Sequence, residues 1–244
     1  MWDGLNKTTL NIVIPVYNEG ANIGTTLTRV AECMQAKTPE VQTQITIVYD
    51  FDEDDTLPII ELLRSSYPLP IRLQKNTGHG VCDAIKQGLL ASQTTFVLVT
   101  MADMSDDYET LPLMLEKGIQ GYDIVCGSRY MRGGHQFGGP LLKKSLSRLA
   151  GVSLYWLAGI PTHDVTNSYK LYRRAALEKF SLESSGGFEI GLEIVVKTFV
   201  AGGRIAEIPS RWWDRSQGQS RFRLRKWVPL YLKWYLYALS RKHA

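Results

Sequence analysis

Acidic side chains stand where apolar runs stop. The run ending Val99-Thr100-Met101-Ala102 is followed by Asp103-Met104-Ser105-Asp106-Asp107. A carboxylate in such a place can bind a hard cation through oxygen, or it can cap and solvate the next helix. Asp103, directly past the apolar run, is assigned the first role. Mg2+ or Mn2+ held there would in turn hold a diphosphate. Asp107 fits the second role, as a helix cap or a solvated charge.

Other polar clusters follow the same rule. Pro15-Val16-Tyr17-Asn18-Glu19 can contact a nucleotide, or Asn18 can simply cap a helix. Asp50-Phe51-Asp52-Glu53-Asp54-Asp55-Thr56 carries carboxylates able to accept from a base N–H or a ribose hydroxyl. Asp50, nearest the run, is the best candidate, with Asp52 beside it. Asn76-Thr77-Gly78-His79-Gly80 precedes a helix, so its backbone can approach a phosphate or a sugar. It is neither a G-x-G-x-x-G nor a Walker A loop, which disfavours a nicotinamide cofactor. Arg129 closes the fifth run. Residues Arg215 to Lys226, "RSQGQSRFRLRK", hold five basic residues and no acid.

The elements that must position these clusters are legible in the hydrophobic period. Strands are expected over 10–16, 43–50, 71–76, 95–102 and 123–129, and helices over about 23–34, 57–67, 80–92 and 111–121. Such alternation implies βαβ units, and a parallel sheet binds its ligands at the C-terminal ends of the strands. Those ends are where the polar clusters lie. Beyond residue 130 the pattern is looser. "GGHQFGG" reads as a flexible loop and 142–158 as a helix. "SYKLYRRAALEKF" holds a strand then a helix, 188–200 is a helix, and "RIAEIPSRWW" is a final strand.

Composition is ordinary for a globular chain: 244 residues, 44% hydrophobic, 21% charged, net charge +4. No run reaches the ~18 apolar residues that cross a bilayer, and "MWDGLNKTT" lacks a signal-peptide pattern. The expectation is a cytoplasmic protein, peripheral at the inner face of a membrane. Cys33, Cys82 and Cys126 read as reduced core thiols, and scattered histidines argue against structural zinc. The last residues, "KWVPLYLKWYLYALSRKHA", mix Trp and Tyr with leucines and basic flanks, as the headgroup layer of a membrane favours. The organisation expected is a catalytic unit over 1–222 and a basic, aromatic segment over 223–244. A nucleic-acid binder fits poorly, because the acidic loops would repel a phosphate backbone.

Seven stretches in order, "IVIPVYNE", "VYDFDEDDT", "NTGHGVCDAIKQG", "VTMADMSDD", "GSRYMRGG", "DVTNSYKLYRR" and "EIPSRWWDRSQGQSRF", resemble the family 2 glycosyltransferases. The nearer likeness is to the dolichyl-phosphate (polyprenyl-phosphate) mannose synthase branch. The resemblance implies a GT-A fold, α/β and Rossmann-like, with a mostly parallel central sheet covered by helices on both faces.

It also implies a donor site framed by Pro15, Tyr17, Asn18, Glu19, Asp50 and Asp52. Asn76, Gly78, Ala102, Asp103 and Arg215 complete that set. The family's metal motif is Asp-Ala-Asp. Here Met101 replaces the first Asp, so Asp103 would bear the ion, with Ser105 or Asp106 completing the shell. The implied reaction is inverting transfer of mannose from GDP-mannose to a polyprenyl phosphate. The acceptor is already anionic, so no general base is required. Asp103, Arg129 and Arg221 would carry the chemistry, and Arg129, Lys143, Ser147, Arg148 and Arg221 the acceptor phosphate. Asp164 would partner an arginine, and Glu193 would support the Asp164 loop. A UDP-sugar donor, a non-catalytic sugar-nucleotide binder and a separate membrane subunit remain open alternatives.

Overall fold

The computed structural model describes residues 8–214 and 224–241. Arg215 and Arg221 lie outside the described residues.

β1 (Thr9–Val16) is buried along nearly its whole length, as its β-branched run requires of a central strand. Leu10, Ile12 and Ile14 face one core and Val13 the other. α1 (Gly20–Lys37) buries Ile23, Leu27, Val30 and Met34, a helical stripe. Then follow β2 (Gln42–Tyr49), α2 (Thr56–Arg64), β3 (Ile71–Lys75), α3 (Gly80–Ala91), β4 (Phe96–Val99), α4 (Leu111–Ile119) and β5 (Ile124–Ser128). The second half contains β6 (His135–Phe137), α5 (Leu141–Ala158), β7 (Lys170–Arg173), α6 (Arg174–Leu177), α7 (Ile190–Val200), β8 (Ile205–Pro209), β9 (Arg211–Trp213) and α8 (Leu224–Ser240).

The main sheet runs β3-β2-β1-β4-β7-β5-β8. All its pairings are parallel except those of β7, which lies antiparallel between β4 and β5. Helices α1, α2 and α4 cover one face, and α3, α7 and α8 the other. The packing is close at Gly88 of α3, where a Cβ would run into Val13 of β1. Among the described residues no helix is long and apolar enough to cross a membrane.

Three local expectations need correction. β4 stops at Val99 instead of reaching residue 102, because the Met101 N–H turns to the Asp106 carboxylate at 3.1 Å. The expected last strand over 204–213 divides at Ser210. Its N–H still bonds Ser128 of the main sheet, whereas its carbonyl accepts from His135. The glycine-rich stretch expected as a loop holds β6, which pairs with β9 as a separate two-stranded ribbon.

Helix α8 has two uses. Trp234 of α8 is buried, its Nε1 donating to Ser184 Oγ at 3.0 Å. Tyr235 hydrogen-bonds Ser153 of α5 at 2.9 Å. On its other side Val228, Leu232 and Leu236, spaced at i, i+4 and i+8, are exposed.

Candidate active site

The C-terminal ends of β1, β2, β4 and β5 open onto one cavity of about 1590 Å³. Pro15, Tyr17, Asn18 and Glu19 line it from β1. Asn18 has φ 52°, a left-handed conformation that Asn tolerates better than most residues. The acidic loop after β2 holds this turn in place. Asp54 accepts from the Asn18 N–H at 3.0 Å and Asp55 from the Gly20 N–H at 2.8 Å, while Thr56 Oγ1 accepts from the Glu19 N–H at 2.9 Å. Asp54 and Asp55 are therefore structural.

Asp50 is the acid of that loop that lines the cavity. Its two oxygens accept from Asn76 Nδ2 at 2.7 Å and the Gly80 N–H at 2.8 Å. Asn76 and Gly78 thus act behind the wall and not on it. Asn76 is buried, and its Oδ1 accepts from the Gly78 N–H and from Gln87. Asp52 lies outside the lining as well. Phe51 packs edge-on against Tyr17 at 5.1 Å, and Asp52 turns out to solvent and pairs with Lys75.

Met101, Ala102, Asp103, Ser105 and Asp106 line the opposite wall. Met104 takes φ 62°, an unusual conformation for a side chain of its size, which reverses the chain after Asp103. Asp103 Oδ1 accepts from the Ser105 N–H at 3.2 Å. Asp106 is buried and accepts from Thr100 Oγ1 at 2.8 Å and from the Met101 N–H through the same oxygen, Oδ2. Burial, reinforced by the Asp103 charge, raises its carboxyl to about 7. Asp107 is neither a solvated charge nor a side-chain cap. It is buried and ion-pairs with Arg211 of β9 at 2.9 Å. Together with the Asp106–Trp212 bridge and the Trp213 N–H to Ser105 carbonyl bond, it ties the acidic loop to the ribbon.

These residues fit a hard divalent ion in one specific way. Among the described residues no cluster of three or more His, Cys, Asp or Glu forms a protein cage for a metal. Two neighbouring carboxylates, Asp103 and Asp106, are what Mg2+ or Mn2+ requires when a diphosphate supplies further oxygens. The Met101 thioether is a poor ligand for either ion.

Facing this wall is a buried cation. Arg129 Nε donates to Asp164 Oδ2 at 2.7 Å, and its Nη2 donates to Asp164 Oδ1 at 2.9 Å. Nη2 also reaches Ser147 Oγ at 3.1 Å and Thr166 Oγ1 at 3.2 Å. The pair holds the Asp164 carboxyl below the usual carboxylate range and the Arg129 guanidinium above its ordinary value. Arg129 lines the cavity, as do Lys143 and Ser147 of α5. Arg148 is exposed and outside the lining, one position round the helix from Ser147.

Glu193 does not support the Asp164 loop. It accepts from the N–H groups of Glu183 at 2.6 Å and Ser184 at 2.8 Å and pairs with Lys197. Trp212, Tyr130 and Gln136 line the cavity without having been singled out in the sequence. Gln136 sits in the glycine-rich stretch, where local pattern carries little information.

The sequence then decides the class. Residues 11–181 match the profile of "Glycosyl transferase family 2". The chain belongs to glycosyl transferase family 2. Within the family it is similar to the dolichol-phosphate mannosyltransferase of Pyrococcus furiosus, at 25% identity over 218 residues. That match covers 88% of this chain and 59% of the relative. It is 29% identical to the polyprenol monophosphomannose synthase of Mycolicibacterium smegmatis, covering 86% of this chain and 79% of the relative. The chain thus spans somewhat over half the length of the first relative. The fold matches Mycobacterium tuberculosis glucosyl-3-phosphoglycerate synthase, solved with Mn2+, UDP and glucosyl-3-phosphoglycerate, with TM-score 0.66 and 16% identity. That match covers 96% of this chain and 80% of the other. The GT-A architecture expected from the sequence is the one observed.

The Asp106 carboxyl gives a pH test. In the folded protein it keeps a proton that an unfolded chain releases near pH 4, so stability should fall as pH rises from about 4 towards 7. Urea titrations of metal-free Asp106→Asn should flatten that fall. An unchanged slope would contradict the buried, raised carboxyl.

Proposed function

We propose that the protein transfers a hexosyl group, mannose from GDP-mannose by preference, to the phosphate of a polyprenyl or dolichyl lipid. The carrying observation is the continuity of the cavity. It joins Asp103 and Asp106 to Arg129 and Lys143, then runs between α5 and α8 along Leu146, Leu149, Val228 and Leu232. A nucleotide diphosphate, a second phosphate and an apolar tail need surfaces in that order. The likeness to the mannosyl-transferring relatives supports the same reading.

In this reading Tyr17 and Asp50 frame the base and ribose, and Asp103 with Asp106 would hold Mg2+ or Mn2+ against the diphosphate. The ion would neutralise the departing nucleoside diphosphate. Arg129 keeps its Nη1 edge for the acceptor, since its other donors are committed to Asp164, Ser147 and Thr166. Lys143 adds a second cation at the same end. No side chain needs to abstract a proton, because a phosphate oxygen is already a nucleophile. Placement and charge supply the rate. Direct displacement inverts the anomeric centre, so an α-linked donor gives a β-linked lipid phosphate.

A UDP-sugar donor is the second reading. What favours it is that Asp52 pairs with Lys75 away from the cavity, which leaves Asp50 as the carboxylate of that loop on the wall. Incubation with labelled GDP-mannose or UDP-glucose, a short polyprenyl phosphate and Mn2+ separates the two. Label should pass into the organic phase from GDP-mannose. Nucleotide binding without release of nucleoside diphosphate would overturn the enzymatic reading. Asp103→Ala should remain folded and lose about 10²-fold or more in kcat, whereas Met101→Asp should stay within a few-fold of the parent.

The outer faces of α5 and α8 support peripheral attachment to a membrane. Leu142, Leu149, Trp156 and Leu157 of α5 are exposed beside Val228, Leu232 and Leu236 of α8. Neither helix contains an acidic residue. A basic, apolar surface of this kind suits an anionic bilayer. In flotation assays the protein should bind vesicles containing anionic lipid, and Leu149→Glu with Leu232→Glu should release it. Undiminished binding of the double variant would refute this face.

A further inference from the structure

Lys170 takes no part in the reaction described above, yet its placement is costly. It is fully buried at the start of β7, and among the described residues no carboxylate pairs with it. Its Nζ donates to the carbonyl of Val165 at 3.2 Å and to that of Asn167. Burial holds its pKa below the usual lysine value. An interior ammonium satisfied only by carbonyls calls for an explanation.

The topology supplies one. Because β7 is antiparallel, its first residue lies beside the last residue of β4 and the middle of β5. Lys170 is in register with Val99 of β4 and Cys126 of β5. β4 leads to Asp103 and β5 leads to Arg129. The carbonyls that Lys170 holds belong to the loop that carries Asp164 and Thr166, both partners of Arg129. The rest of the loop is fixed from the other side. The Asn167 N–H donates to Asp164 Oδ1 at 3.1 Å, and Asn167 Nδ2 donates to the Gly127 carbonyl at 2.8 Å. Thr166, Asn167 and Ser168 then line the cavity.

Charge points the same way. Asp164 and Arg129 cancel as a pair, and both, with Asp106, act electrostatically on Lys170. While it carries its proton, Lys170 gives the Arg129–Asp164–Lys170 group a net positive charge at this end of the sheet.

We propose that Lys170 is a positioning residue for the acceptor phosphate: it fixes the 165–167 loop through its carbonyls and supplies the positive charge that the Arg129–Asp164 pair cancels. The proposal rests on the reading that the Arg129 end of the cavity receives the prenyl phosphate.

The test is steady-state transfer by the full chain, with a short polyprenyl phosphate and the sugar nucleotide that the parent protein uses. Lys170→Met removes charge and donors at similar length, and Lys170→Gln keeps a donor but not the charge. Both should raise the KM for the prenyl phosphate about tenfold while leaving the KM for the sugar nucleotide within about twofold. Calorimetry should find their affinity for nucleoside diphosphate with Mn2+ retained. The proposal fails if acceptor KM is unchanged, if Lys170→Gln restores it fully, or if both KM values rise together. It fails equally if neither variant folds, which would make Lys170 a purely structural residue. A parent protein that transfers nothing to prenyl phosphate overturns the acceptor assignment itself, and this proposal with it. Transfer by the parent with indifferent variants overturns the proposal alone.

Discussion

The site depends on one buried ion pair. Arg129 leaves the end of β5 and meets Asp164 through two parallel N–H···O bonds, with a third from its own backbone N–H. Removing either partner of such a pair would cost about 3–5 kcal/mol, because the remaining charge stays buried. The pair reaches beyond its two residues. Ser147 brings in α5, Thr166 brings in the loop before β7, and the rings of Tyr130 and Trp212 lie beside the guanidinium at 4.9 and 5.9 Å. A helix, two loops and the β6–β9 ribbon thereby converge on one fixed cation.

Across the cavity the chain builds the opposite polarity by similar means. Asp103 and Asp106 share a wall with Met101, and the Asp107–Arg211 pair binds that wall to β9. The two walls are therefore joined through the ribbon, not only through the main sheet. In the proposed reaction two anions must come within bonding distance. A carboxylate wall suited to a divalent ion and a cationic wall facing it divide that task. Met101 brings no carboxylate to this wall, and the neighbouring Asp106 supplies the second one beside Asp103.

Strands and helices with a sustained hydrophobic period were legible in the sequence. β1, α1, β2, α3 and α4 lie close to where periodicity puts them, because each buries a continuous face. The antiparallel insertion of β7 was not legible, since strand order depends on contacts far apart in the chain. The three-residue β6 was hidden, and β9 was merged with β8, for a related reason: each is too short to show a period of its own and pairs only with the other. The strand ends pointed to Tyr17, Asp50, Asp103 and Arg129, all of which line the cavity. Local pattern favoured Asp50 for its place nearest the strand but could not show that Asp52 turns away, which rests on the packing of Phe51 against Tyr17. Nor could it give Asn76 its bracing role or Asp107 its distant partner, both of which require the folded chain. Lys170 carried no signal at all, as a lysine inside "SYKLYRR" looks like an ordinary surface cation.

In the proposed complex the acidic loop and the buried arginine face each other across the nucleotide's diphosphate. A crystal structure with GDP and Mn2+, using anomalous scattering to locate the metal, tests it most directly. The expected result is a manganese peak in contact with Asp103, with the diphosphate between that ion and Arg129. A nucleotide bound outside this cavity, or an ion that avoids Asp103, would contradict it.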